Sequence, residues 1–168
     1  DKRYNDLYKM DVESLTPELI FQNEEGYTLQ AIARNEAYLA LGKTINTNDS
    51  DLFLYEISSG KLTKINENLS SNSAEDFTPD DSALLYTTDD GGEFSYLMSF
   101  DISTGTRKKV LEKEWDITGS YFTDEGTYQV TYTNEDAKNA IEVVEVATGK
   151  PLDLPAIDGM DVNNVGFS

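Results

Sequence analysis

Apolar and polar positions alternate with a period of two along most of the chain, and no stretch sustains a helical period. The clearest case is FSYLMSFDI (94–102). There Phe94, Tyr96, Met98 and Phe100 alternate with Ser95, Leu97, Ser99 and Asp101, the spacing of a β-strand. SAEDF (73–77) reads as a short strand closed by Phe77. TPDD (78–81) reads as a turn with Pro79 preset for its second position. SALLYTT (82–88) is a more apolar strand, and DDGGE (89–93) is a Gly-rich hairpin loop. STG (103–105) predicts a tight turn in which Gly105 takes positive φ. TRKKVLE (106–112) is then a polar, outermost fourth strand. One helical candidate, TPELIFQNEEG (16–26), is too short and falls where an outer strand and linker belong.

This unit recurs. IARNEAYLALGKT (32–44), FTPDDSALLYTTD (77–89) and FTDEGTYQVTYTN (122–134) stand 45 residues apart, and FS (167–168) falls 45 further on. A second signature keeps nearly the same interval: DVESL (11–15), EISSG (56–60), DISTG (101–105) and EVATG (145–149). Four antiparallel strands repeated at this period are what a β-propeller blade requires. The fold class is therefore all-β, with about 3.5–4 propeller repeats. The predicted units are a partial blade at 5–21, full blades at 27–66, 73–112 and 117–155, and a closing strand at 160–168. The innermost strands should be short because they crowd round an axis. The middle strands should be the most apolar because sheets cover both their faces. Two arrangements are open: an excised portion of a larger propeller, or a ring of four blades lacking one strand.

Composition narrows the function classes. The 168 residues include 32 acidic and 13 basic side chains, a net charge of −19. Such a surface repels phosphate, which argues against nucleic acid and anionic membranes as partners. No apolar run approaches the roughly 20 residues of a membrane span. The first residues show no signal-peptide pattern and open in mid-strand, as expected of a start that is not a natural N-terminus. The compartment stays open between cytoplasm and periplasm. With no cysteine, thiol chemistry and disulfides are excluded.

The Phe-Thr-Pro-Asp-Asp turn, the DLFLYEISSGKLTKI strand pair (51–65) and the run from Gly91 to Asp136 resemble the blades of TolB-like propellers. They are equally similar to the N-terminal propellers of prolyl-oligopeptidase-family serine peptidases, especially the acylaminoacyl-peptidase-like branch. The first unit departs from the pattern, with IARNEAYLA where Ser/Thr-Pro-Asp-Gly is expected. The resemblance implies a hydrolase domain elsewhere in a parent chain, with the propeller gating short peptides. The alternative is a stand-alone TolB-like module that binds a protein or peptide. This chain has neither a histidine nor a Gly-x-Ser-x-Gly elbow, so it cannot assemble a Ser-His-Asp relay. An incomplete ring would expose strand edges and favour self-association.

No catalytic, cofactor or metal residue is assigned. The carboxylate pairs Glu24–Glu25, Asp80–Asp81, Asp89–Asp90 and Glu135–Asp136 read as turn residues. General acid–base work needs two carboxyls facing each other across a cleft. Asn46, Asn48, Asp49 and Asp51, and the loop 88–93, carry oxygens that calcium could use. They lack EF-hand spacing, and solvated loops explain them. The basic stretch 106–113 suits an edge strand guarded by lysines. Trp115 could serve as an exposed recognition aromatic, but a wedge packed between sheets is the favoured reading.

Overall fold

The computed structural model describes residues 3–155, 162 and 165–167. Every regular element among them is a strand. β1 (Leu7–Met10) and β2 (Pro17–Phe21) form a two-stranded pair, so the one helical candidate contains a strand. Three four-stranded antiparallel meanders follow. The first comprises β3 (Thr28–Ile32), β4 (Tyr38–Thr44), β5 (Ser50–Glu56) and β6 (Lys61–Lys64). The second comprises β7 (Asn72–Phe77), β8 (Ala83–Thr88), β9 (Tyr96–Asp101) and β10 (Arg107–Leu111). The third comprises β11 (Asp116–Phe122), β12 (Tyr128–Glu135), β13 (Lys138–Glu145) and β14 (Lys150–Pro151).

The sheets stack face to face. β7 lies beside both β3 and β11, so the first strand of each meander forms the inner edge. This is a partial all-β propeller. Each interface has its own core. Ala40, Leu52 and Leu54 meet Ala74, Phe77, Leu84, Tyr86 and Phe100 between the first two sheets. Leu85 and Leu97 meet Ile117 and Phe122 between the second and third. Phe21, Leu39 and Leu41 join Leu7, Ile20 and Tyr55 beneath the opening pair. Along β8, Leu84 and Tyr86 therefore serve one core while Leu85 serves the other. Burial on both faces is the reason the middle strands are the most apolar.

The repeat is visible in the turns between first and second strands. Ala33 N donates to Tyr38 O, Thr78 N to Ala83 O and Thr123 N to Tyr128 O, at 2.9–3.0 Å. The left-handed residue of each turn is Glu36, Asp81 and Gly126 in succession. The aberrant IARNEAYLA segment thus makes the same turn as its relatives. Asn35 Oδ1 accepts from Ala37 N at 2.8 Å, in the role Asp80 Oδ1 plays for Ser82 N at 3.1 Å.

Two expectations are corrected. The outermost strands are the shortest, down to two residues in β14, whereas inner β11 has seven. Inner strands carry the inter-sheet bonds described below, so they stay paired along their length. The third strand of the second sheet begins at Tyr96, not Phe94. Leu97 is fully buried although it alternates with the aromatics, because a sheet covers each face. The closing strand at 160–168 falls largely outside the described residues. Val165–Phe167 carry no strand and lie over the third sheet, with Tyr121 Oη donating to Val165 O at 2.7 Å.

Candidate functional site

The inner strands carry a row of polar side chains at the repeat interval: Gln30, Glu75 and Ser120. In β3 and β7 the residue in question is an extra one, unpaired in a β-bulge between Leu29 and Ala31 and between Ala74 and Asp76. A bulge re-aims its side chain, and here it aims at the next sheet. Gln30 Oε1 accepts from Ala74 N at 2.8 Å, and Glu75 Oε2 accepts from Ser120 N at 3.2 Å. Ser120 Oγ receives Gln129 Nε2 at 2.9 Å and lies 3.1 Å from Thr131 Oγ1. In the third sheet the bulge moves to Thr118, between Ile117 and Gly119.

Glu75 is the chemically unusual member. Its other oxygen accepts from Thr87 Oγ1 at 2.7 Å. Burial raises its pKa to about 7, against the opposing effect of the Thr87 and Ser120 bonds. The carboxyl can therefore gain or lose a proton near neutrality. Both of its hydrogen-bond partners, the Thr87 hydroxyl and the Ser120 amide, are uncharged.

One turn away, Arg34 of the first sheet touches the other two. Its Nη1 donates to Phe77 O at 2.8 Å and its Nη2 to Thr123 O at 3.4 Å. Nη2 also lies 3.5 Å from Asp76 Oδ2, which accepts from Phe122 N at 2.9 Å. Asp81 answers in the reverse direction, its two oxygens accepting from Arg34 N at 2.9 Å and Asn35 N at 2.7 Å. These groups are committed to joining sheets.

The carboxylate pairs do not converge. Glu24 accepts from Gln22 at 2.8 Å, and Glu25 pairs with Lys43 at 2.5 Å. Asp80 caps its own turn while Asp81 reaches the first sheet. Asp89 accepts from Ser71 N at 2.8 Å, and Asp90 accepts from Asn68 Nδ2 at 3.0 Å. Glu135 ends β12 opposite Lys138, with Asp136 in the hairpin. In the loop weighed for calcium, Asn46 bonds Asn48 N and both ends of Asp49, and Asp51 pairs with Lys64 at 2.8 Å. Among the described residues, no three acidic side chains gather as a metal site would require.

The basic stretch does more than shield an edge. Arg107 pairs with Glu67 and donates to Ile65 O at 3.2 Å, tying β10 to the preceding linker. Lys113 reaches Glu142 in the third sheet at 2.9 Å. Trp115 corrects the wedge expectation. It is 41% exposed and rests obliquely on Phe94, ring centroids 6.1 Å apart. The linker places it outside the sheet interface, whose space Ile117 fills.

Sequence reasoning overlooked Arg34, Glu75 and Asp76. Their signal was the 45-residue alignment itself, which places Glu75 level with Gln30 and Ser120.

Solved structures share this fold. TolB from Acinetobacter baumannii superposes with a TM-score of 0.67 at 15% identity, over 87% of this chain and 36% of that one. A prolyl endopeptidase, from work on inter-domain dynamics in catalysis and specificity, gives 0.66 at 14% identity over 87% and 25%. Prolyl oligopeptidase B from Galerina marginata, bound to a 35mer hydrolysis and macrocyclization substrate, gives 0.66 at 17% over 84% and 21%. The chain thus spans about a third of that TolB and a quarter or less of the two peptidases. No family model and no curated protein matches the sequence.

Proposed function

We propose that this chain is a non-catalytic propeller portion of a prolyl-oligopeptidase-family serine peptidase, acting as scaffold and gate for short peptides. The observation that carries this reading is the inner-edge row. Arg34, Glu75, Asp76 and Asp81 spend their polar groups holding sheets together, so the inner edge is a braced frame. A braced frame suits a filter set over someone else's active site. The prolyl endopeptidase of like fold is one in which inter-domain dynamics bear on catalysis and specificity, as a gate would require. The test is to express the longer reading frame and assay it on chromogenic peptides of increasing length and on folded proteins. Cleavage confined to short peptides supports gating. Rapid cleavage of folded substrates, or a reading frame without a Gly-x-Ser-x-Gly elbow and histidine, sinks it.

A TolB-like protein-binding module is the second reading. The Acinetobacter TolB superposes on this chain as well as either peptidase does, with a TM-score of 0.67 against 0.66, which supports this reading to the same degree. A full reading frame that ends with the propeller and retains a protein partner in pull-down would select it.

A further inference from the structure

The linker between the second and third sheets differs from the one before it at nearly every position, and Trp115 is its largest residue. Trp115 stands 45 residues after Ser70. Ser70 is buried, and its hydroxyl accepts from Asn72 Nδ2 at 2.9 Å and from Thr88 Oγ1 at 3.4 Å. An indole cannot take over that acceptor role. Thr133, the residue level with Thr88, is fully buried, and its hydroxyl has no hydrogen-bond partner among the described residues. An orphaned buried hydroxyl weakens a fold. Trp115 leaves 41% of its surface in solvent.

What surrounds the ring is acidic. Glu93, Phe94, Glu112, Lys113 and Glu114 line an open concavity beside it. Lys113 is turned away to Glu142, and Lys109 pairs with Glu112 at 3.0 Å. Glu93 and Glu114 make no ion pair among the described residues. An exposed tryptophan supported by a second aromatic and rimmed by carboxylates is complementary to a guanidinium or ammonium group. Tryptophan is also the residue on which protein interfaces most often anchor. We infer that Trp115, Phe94, Glu93 and Glu114 form a docking surface for a basic peptide segment of a partner protein, an arginine or lysine side chain lying on the indole. The surface sits at the end of the sheets opposite the Arg34–Asp81 turns and does not depend on the peptidase reading.

Trp115 is the only tryptophan, so its emission reports directly on the site. Titration with a hexa-arginine peptide at low salt is expected to shift that emission saturably, and a hexa-glutamate peptide should leave it unchanged. By calorimetry, Glu93→Gln/Glu114→Gln should weaken hexa-arginine binding by about fivefold or more, since each lost ion pair is modest. Asp124→Asn/Glu125→Gln removes equal charge from the far end and should leave affinity within about twofold. Followed by calorimetry, Trp115→Ser should abolish saturable hexa-arginine binding. Equal weakening by both charge pairs overturns the proposal, because affinity would then be diffuse attraction to an acidic protein. Unshifted emission, absent saturation or unchanged binding by Trp115→Ser overturns it too.

Discussion

Pro79 of the second sheet lies directly against Gly126 of the third. A Cβ at position 126 would fall 2.5 Å from Pro79 Cβ and 2.8 Å from its Cγ. One repeat earlier, Arg34 stands where Pro79 does, and its backbone meets Asp81. Each turn is keyed to the turn that follows it, so the angle between sheets is set at this end by contacts one residue wide.

Gly126→Ala should therefore be expensive. Its φ of 69° disfavours any side chain, and the proline ring cannot swing aside. The two effects together predict a loss of about 2–4 kcal/mol. Gly105 has a φ of 70° with nothing within 4 Å of its added Cβ, so Gly105→Ala should lose only about 1 kcal/mol. Urea midpoints at constant m measure both. Equal losses would show that the Pro79 contact constrains nothing.

Two residues hold left-handed conformations that glycine would hold better. Leu15 has a φ of 52° in the turn where Gly60, Gly105 and Gly149 serve the other sheets at 68–70°. Ala137 has a φ of 62° beside Asp136 in the two-residue β12–β13 hairpin, a loop type that favours Asp-Gly. Leu15→Gly and Ala137→Gly should each stabilise the fold by about 0.5–1 kcal/mol. A lower urea midpoint for both would contradict the strain argument.

The comparison of Glu36 with Asp81 shows what the sequence made legible. The TPDD motif announces a turn through Pro79 and its aspartates, but the ARNE turn at 33–36 has neither proline nor aspartate. It forms because the 45-residue frame and the flanking strands impose the same left-handed residue at Glu36. Periodicity thus reached the architecture and even an aberrant turn. It could not reach the Thr123 contact of Arg34, 89 residues away in another sheet, and although it sets Glu75 level with Gln30 and Ser120, it does not show that Glu75 accepts from Ser120 N. Nor could it place Trp115, since exposure of a linker residue depends on how far apart neighbouring sheets stand.

Arg34 offers a test of how the sheets are joined. Arg34→Ala removes hydrogen bonds to Phe77 O and Thr123 O together with the ion pair to Asp76. The expected loss is about 1–3 kcal/mol. Arg34→Lys keeps the charge but lacks the planar fork that spans two carbonyls, so it should recover less than half of that loss. A lysine variant as stable as wild type would mean that charge near Asp76 is all that matters.

Glu75 makes stability depend on pH in the direction opposite to an ordinary ion-paired carboxylate. Its pKa is about 7 in the folded chain against a usual 4.5. Below about 4.5 both states hold the proton, and the group contributes nothing. Between there and about 7 the folded state keeps a proton that the unfolded state has released, so stability falls as pH rises. Above 7 the penalty is complete, on the order of 3 kcal/mol for a shift of this size. Gln30 fills the level position one sheet earlier and already accepts a backbone N–H from its neighbour. Glu75→Gln should therefore keep the Ser120 bond without the charge. Its stability relative to wild type should grow from pH 5 to 7 and level off by pH 8, as read from urea midpoints. A difference that stays flat over that range would mean that Glu75 ionises freely, and that the inner edge is wetter than its burial implies.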